Sequence, residues 1–335
     1  MARRGSNRLD TLIKEFEPSV QKAFRESVDN IRNPASMSRI VQAIDSFDVE
    51  AVARELKINP ASFRPMDKAV SEAFEAGGNF AAKTAPVRGS SVTIQFDMRN
   101  ATAERILRDQ SARFVSEVSA DTRNVISQTL SRGMERGQNP KTTALDLVGR
   151  VNMATGRREG GVIGLTASQE RWVSAYADKL REGDPSALDY NLRDKRFDRI
   201  VRKAQAEGRA LSETEVRSMV VNYRNRALRY RAETIARTET LTAMNAAAYE
   251  NMRQMIERGE INEAIVQKVW FSSNDGKVRH THTVLNKTKV PFRADFVSPS
   301  GARLLHPGDP NAPAAEIINC RCWLAFDADF FAGLE

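Results

Sequence analysis

Apolar residues near the start of the chain recur at helical spacing. Leu9, Leu12, Ile13, Phe16, Val20, Phe24, Val28 and Ile31 fall on one face of a long predicted helix, which Asn33-Pro34 stops. A shorter helix, Val49 to about Leu56, is predicted behind Asp48, whose carboxylate suits an N-cap. Ala81 to Ser91 contains Pro86 and Gly89 and is expected to be a connector. Beyond it, Val92, Ile94, Phe96 and Met98 alternate with polar residues and predict one strand. Helical spacing returns at Ile106, Leu107, Phe114, Val118, Val125, Ile126 and Leu130, with an end expected near Gly133 and Gly137.

Thr143 to Val148 predicts a short helix, and Gly156 to Gly164 (GRREGGVIG) a glycine-rich turn. Thr166 with Gln169, and Ser212 with Glu215, have the spacing of capping boxes, so each opens a helix. The second of these patterns continues to about Gly259. Ala264 to Phe271 is strand-like, and the remainder is rich in Pro, Gly, Asn and Asp. The expected fold is mainly α: an extended helical N-terminal region with a small α+β C-terminal module. The expected divisions are 1–90, 91–259 and 260–335.

The chain has 335 residues, 41% hydrophobic and 28% charged, a balance that supports packed cores and argues against wholesale disorder. No apolar run reaches the ~18 residues of a membrane span, and no apolar stretch follows the basic start as a secretory signal would require. Two cysteines exclude a disulfide scaffold, and the spacing Cys320-Arg321-Cys322 suits a mutual disulfide poorly. Synthesis in a reducing compartment is expected, with thiols free or metal-bound. The net charge is +8, and residues 193–237 hold 13 Lys/Arg against 6 Asp/Glu, nearly the whole surplus. Such a stretch predicts either a polyanion-binding surface or a solvated helix face. Its candidate contacts to DNA or to a protein partner are Arg193, Lys195, Arg196, Arg199, Arg202, Lys203, Arg224, Arg226, Arg229 and Arg231.

All three histidines and both cysteines fall within 43 residues: His280, His282, His306, Cys320 and Cys322. These are zinc-ligand types. A set drawn from His282, Cys320 and Cys322, with His280, His306 or Asp309 as the fourth, can close a structural zinc site. C-x-C is tighter than the usual zinc spacing, and the alternative is that the cysteines pack as small hydrophobes. For catalysis, Asp275, His282 and Glu316 are the residue types of a metal-dependent nuclease, without a compact nuclease signature. No deaminase, P-loop or dinucleotide motif is present. Farther upstream, Arg237-Thr238-Glu239-Thr240 and Asn245 lie on a helix, where their polar groups either orient the C-terminal module or make ordinary capping and side-chain pairs on an exposed face.

Several pieces in order carry a family resemblance. They are Ala236-Arg237-Thr238-Glu239, then Trp270 with Asp275 and Arg279-x-x-His282, then His306-Pro-Gly-Asp309-Pro, then Asn319-Cys320-Arg321-Cys322. Together they resemble the phage Mu protein F-like minor head proteins, also called phage head morphogenesis proteins. The resemblance covers about 232–325. It implies a non-catalytic minor capsid protein of a tailed bacteriophage, made in the host cytoplasm and housed in the virion inside the capsid near the portal vertex. It also implies roles in procapsid assembly and in DNA packaging or delivery. The implied partners are the portal protein, the major capsid or scaffolding protein and packaged double-stranded DNA, with no membrane before infection. The rivals are a virion-packaged metal-dependent nuclease and a plain DNA-binding protein.

Overall fold

The computed structural model describes residues 2–85, 95–273 and 275–328, with side chains from residue 9 onward. Helix α1 (Ala2–Arg32) buries the apolar face expected of it and stops before Pro34. Helices α2 (Met37–Asp45) and α3 (Val49–Glu55) follow, and Asp48 caps α3 by accepting from the Ala51 amide at 2.8 Å. Next come α4 (Arg64–Thr84), α5 (Ala101–Glu135) and α6 (Pro140–Val148). Strands β1 (Arg150–Val151) and β2 (Arg158–Glu159) pair antiparallel.

Both capping boxes form. Gln169 N–H donates to Thr166 Oγ1 at 3.2 Å and Thr166 N–H returns to Gln169 Oε1 at 3.1 Å, opening α7 (Ala167–Glu182). Helix α8 spans Asp198–Ala206. Glu215 and Ser212 make the same exchange at the start of α9 (Glu213–Glu257), a helix of 45 residues. The C-terminal region then runs β3 (Val266–Ser272), α10 (His280–Val284), β4 (Lys289–Pro291), β5 (Phe296–Val297), β6 (Arg303–Leu304), α11 (Ala314–Ile317) and β7 (Cys322–Ala328). Strand β3 is central, in the order β4-β3-β7, and both neighbours are antiparallel to it. The fold is mainly α with a small α+β C-terminal region, as the residue pattern predicts.

Two compact units are interleaved along the chain. One gathers the described residues of Met1–Phe24, Pro65–Arg113 and Glu233–Glu335; the other gathers Arg25–Arg64 and Phe114–Ala232. In the first, Met252, Met255, Ile261, Val266 and Phe292 form an apolar cluster, with Tyr249 stacked on Phe292 at 4.7 Å. In the second, Phe63 meets Phe114 edge-on at 5.8 Å, and Tyr176 stacks on Tyr223 at 4.7 Å.

Three local expectations are corrected. Ala81 to Thr84 continue α4 and do not begin a connector. Of the alternating segment, Val92 and Ile94 lie outside the described residues, while Phe96 and Met98 are not in a strand. Phe96 packs on Phe74 at 5.6 Å, and the buried Gln254 side chain satisfies the Asp97 backbone, accepting from its N–H and donating to its carbonyl, each at 3.0 Å. A side-chain amide carries both donor and acceptor groups, so it takes the place of the neighbouring strand that alternation implied. The third correction is that the GRREGGVIG turn contains β2.

Gly78 shows how tight the Phe96 contact is, because a Cβ there would lie 2.1 Å from the ring. Gly78→Ala is therefore expected to cost ~1–3 kcal/mol through overpacking. Thermal melting should show the loss. Gly276→Ala is the control, since a Cβ at Gly276 meets nothing within 4 Å.

Candidate metal centre

Three polar residues on one face of α9 hold the C-terminal loops of the first unit. Thr238 Oγ1 accepts from Asn319 N–H at 3.1 Å, and Thr242 Oγ1 donates to the Gly308 carbonyl at 3.1 Å. The fully buried Asn245 donates from Nδ2 to the Cys322 carbonyl at 3.3 Å and accepts from Leu324 N–H at 2.8 Å. Positions 238, 242 and 245 share a face at i, i+4 and i+7. The Asn245 amide thus binds the first residues of β7 much as a further strand would. Asn319 adopts a left-handed φ of 57°, a conformation asparagine tolerates better than most residues, and turns the chain just before Cys320.

This clamp brings both thiols to His282. Its Nδ1 lies 3.4 Å from Cys320 Sγ and 3.5 Å from Cys322 Sγ. All three residues are buried, and their donor atoms lie within 4.8 Å of one another. On the other side of the ring, Nε2 approaches Glu316 Oε2 to 2.7 Å, off the line of an aligned hydrogen bond. Trp270 stands edge-on to the imidazole at 5.0 Å. Burial alone would raise the Glu316 carboxyl. The Ser300 hydroxyl at 2.6 Å, His282 and the Thr281 hydroxyl together hold it below its ordinary value. Cys320 is pushed below the usual thiol range by the hydrogen bond the Cys322 thiol donates to it, helped by His282 and opposed by burial; Cys322 is pushed up, by burial first.

The donor set fits a metal ion. Tetrahedral bonds of about 2.05 Å to nitrogen and 2.3 Å to sulfur place N and S about 3.6 Å apart, close to the spacing here. A carboxylate behind the second ring nitrogen is the usual device for orienting a ligating imidazole. The described residues supply three such donors. His306 is not among them, which corrects its expected place as a ligand. Its Nδ1 instead lies 3.1 Å from the Pro307 carbonyl, and its ring stands 6.3 Å from Tyr249. Asp309 is spent on the same turn, accepting from Leu305 N–H at 2.7 Å and from Asn311 N–H at 2.9 Å. His280 is exposed.

Two of the remaining motif residues, Arg279 and Asp275, bond the segments that carry the cluster. Arg279 donates to the Glu316 carbonyl at 2.5 Å and to that of Ile318, fixing the loop that carries Glu316. Asp275 accepts from Arg321 Nη1 at 2.8 Å. On α9, Arg237 pairs with Glu17 at 3.3 Å, and Glu239 Oε2 accepts from Gln110 Nε2 at 2.8 Å. Residue types alone gave no sign of Ser300, Thr281 or Thr242, because serines and threonines are too common to stand out. Lys268, also missed, is fully buried and donates to the Leu305 carbonyl at 2.6 Å between the Tyr249 and Phe296 rings. Burial pushes its ammonium down to about 8.

In the second unit, the basic stretch divides in two. Arg193 pairs with Asp198 at 3.0 Å, Arg224 with Asp146 at 2.8 Å, and Arg226 with Asp194 at 3.2 Å. Arg231 is buried and bonds Asp121 and the Gly164 carbonyl. Arg193, Arg224 and Arg231 are therefore internal braces and are withdrawn from the expected contact surface. Lys195, Arg196, Arg199, Arg202, Lys203 and Arg229 are exposed. Arg196 still leans on Asp194 at 2.6 Å.

With this geometry in hand, the comparison with known families is specific. Residues 195–325 match the family model described as Phage Mu protein F like protein, so over that segment the chain is similar to that family. The match takes in both the Thr238–Asn245 clamp and the His282 cluster. No curated protein and no solved structure matches the chain. No helix among the described residues is long and apolar enough to cross a membrane.

His306 yields a pH test. Burial, with a smaller contribution from Lys268, lowers its pKa against the pull of Asp309 and the Pro307 carbonyl. Between its lowered folded value and the ordinary value near 6.5, the unfolded chain binds the extra proton. Its contribution to stability is thus present above about pH 6.5 and is lost as pH falls through that window. Urea unfolding at pH 7.5 and 5.5 should show this fall, and His306→Gln should reduce it.

Proposed function

We propose that the protein is a non-catalytic minor capsid protein of a tailed bacteriophage, acting inside the head near the portal vertex in procapsid assembly and in DNA packaging or delivery. The observation that carries this reading is the family match over 195–325, within which Thr238, Asn245, Arg279 and Asn319 anchor the backbone around one buried cluster. Portal protein and major capsid or scaffolding protein are the protein partners. Packaged duplex DNA is the third. The exposed Lys195, Arg196, Arg199, Arg202, Lys203 and Arg229 supply phosphate contacts, which are insensitive to sequence and sensitive to salt.

The metal at His282, Cys320 and Cys322 is zinc in this reading, since thiolate and imidazole donors suit it and the surrounding chain is rich in loops. Its role is to fasten the α10 segment to the start of β7. The hydrogen-bonded Glu316 then serves to orient His282.

Mass spectrometry of purified particles and empty procapsids tests the location. A few to a dozen copies per particle in both is expected, and absence from both contradicts the proposal. Metal analysis of the purified chain should find about one zinc, lost in Cys320→Ser together with a fall in melting temperature; a metal-free protein of equal stability rules zinc out. DNA cleavage with added divalent metal, abolished by His282→Ala, would instead make the protein an enzyme.

A further inference from the structure

Met153 is 93% exposed, the barest of the large apolar side chains among the described residues. It stands at the tip of the β1–β2 hairpin in the second unit, and the hairpin is firmly rooted. A Cβ at Gly149 would lie 2.3 Å from the Glu159 carbonyl oxygen, and one at Gly161 would lie 2.4 Å from that of Leu147, so the two ends of the hairpin are packed tightly together at the end of α6. Arg158 fastens the base, donating to the carbonyls of Gly149 at 3.3 Å and Ala35 at 3.4 Å. Its own N–H donates to Asn33 Oδ1 at 3.1 Å.

The tip is equally well built. Asn152 Oδ1 accepts from Ala154 N–H at 2.9 Å, the Asn152 carbonyl accepts from Gly156 N–H at 2.8 Å, and Asn152 N–H donates to the Arg157 carbonyl at 2.8 Å. Gly156 supplies the positive φ of 66° that closes the loop. Met153 is therefore held out by an ordered backbone, and little ordering entropy remains to be lost on binding. Covering such a side chain fully would return ~1.5–3 kcal/mol.

The surroundings of the tip identify what covers it. From Gly149 to Arg158 the chain carries Arg150, Arg157 and Arg158 and no acidic residue. Arg150 is exposed, and the Arg157 side chain is 64% exposed, reaching only the Asp29 carboxylate at 3.7 Å. The complementary surface is an apolar slot between two lines of negative charge. A base-pair step seen from the minor groove has that form, and apolar wedges flanked by arginines are a known way to enter it. The exposed Arg199, Arg202 and Lys203 of α8, in the same unit, suit the same polyanion.

We propose that residues 150–158 form a minor-groove arm: Met153 wedges into a base-pair step of duplex DNA while Arg150 and Arg157 contact the flanking phosphates. The inference rests on the DNA contacts proposed above and locates a second, shape-sensitive contact that the basic stretch does not include.

The test uses the full chain and a duplex of about 30 base pairs with fluorophores at its ends and 2-aminopurine at a central TA step. The wild-type protein should shorten the end-to-end distance and raise 2-aminopurine fluorescence. Met153→Ala, a change at an exposed position, should abolish both signals. Arg150→Ala and Arg157→Ala should each reduce the slope of log K against log salt by about 1. If all three variants match wild type while Lys195→Ala with Arg199→Ala weakens binding, the arm is overturned and the DNA reading stands. If wild-type protein binds no duplex even at low salt, both fall. Loss of portal-protein binding in Met153→Ala, with DNA signals intact, would assign the tip to a protein surface and overturn the wedge.

Discussion

The side-chain amide of Asn245 is the interaction on which the C-terminal region depends. It sits without solvent exposure on α9, and its two polar ends take the Cys322 carbonyl and the Leu324 N–H. Removing it would strand two buried backbone groups, each costing ~1–3 kcal/mol. Strand β7 starts at Cys322, so the same contact sets where both thiols emerge. Thr238 fixes the residue before Cys320, and Arg279 fixes the loop before that. The cluster is therefore assembled by backbone anchors, and the imidazole is aimed afterwards by Glu316.

Charge in the second unit follows a different logic. The surplus in 193–237 suggests a broad basic surface, yet folding consumes part of it. Asp121, Asp146, Asp194 and Asp198 each engage at least one arginine of the stretch, and only Asp194 and Asp198 belong to the stretch itself. A local count cannot register partners contributed from elsewhere in the chain. What remains outward lies around α8 and at Arg209, Arg217 and Arg229, with Arg150 and Arg157 on the separate hairpin.

The helices were legible because their signals are local. Asp48, Thr166 with Gln169, and Ser212 with Glu215 cap the helices they were expected to cap. The His282–Cys320–Cys322 grouping was legible from rare residue types crowded together, and the motif order pointed to the family whose model matches 195–325. Less visible were features created by distant partners. Gln254 satisfies the backbone of Asp97 from 157 residues away, so alternation around Phe96 did not yield a strand. His306 looked like a fourth ligand by type, but the turn built on Asp309 commits it elsewhere. The interleaving of the two units has no signature in composition, since α1, α5 and α9 each contribute to both.

Hydrogen exchange on the full chain, comparing wild type with Asn245→Ala, tests the clamp most directly. The account predicts that the Leu324 amide is strongly protected in the wild type. In the variant, protection at Leu324 and across the neighbouring β7 amides should fall by one to several orders of magnitude, while the caps of α3 and α7 keep theirs. Unchanged protection at Leu324 in Asn245→Ala would contradict the claim that this one side chain holds the cluster-bearing strand in place.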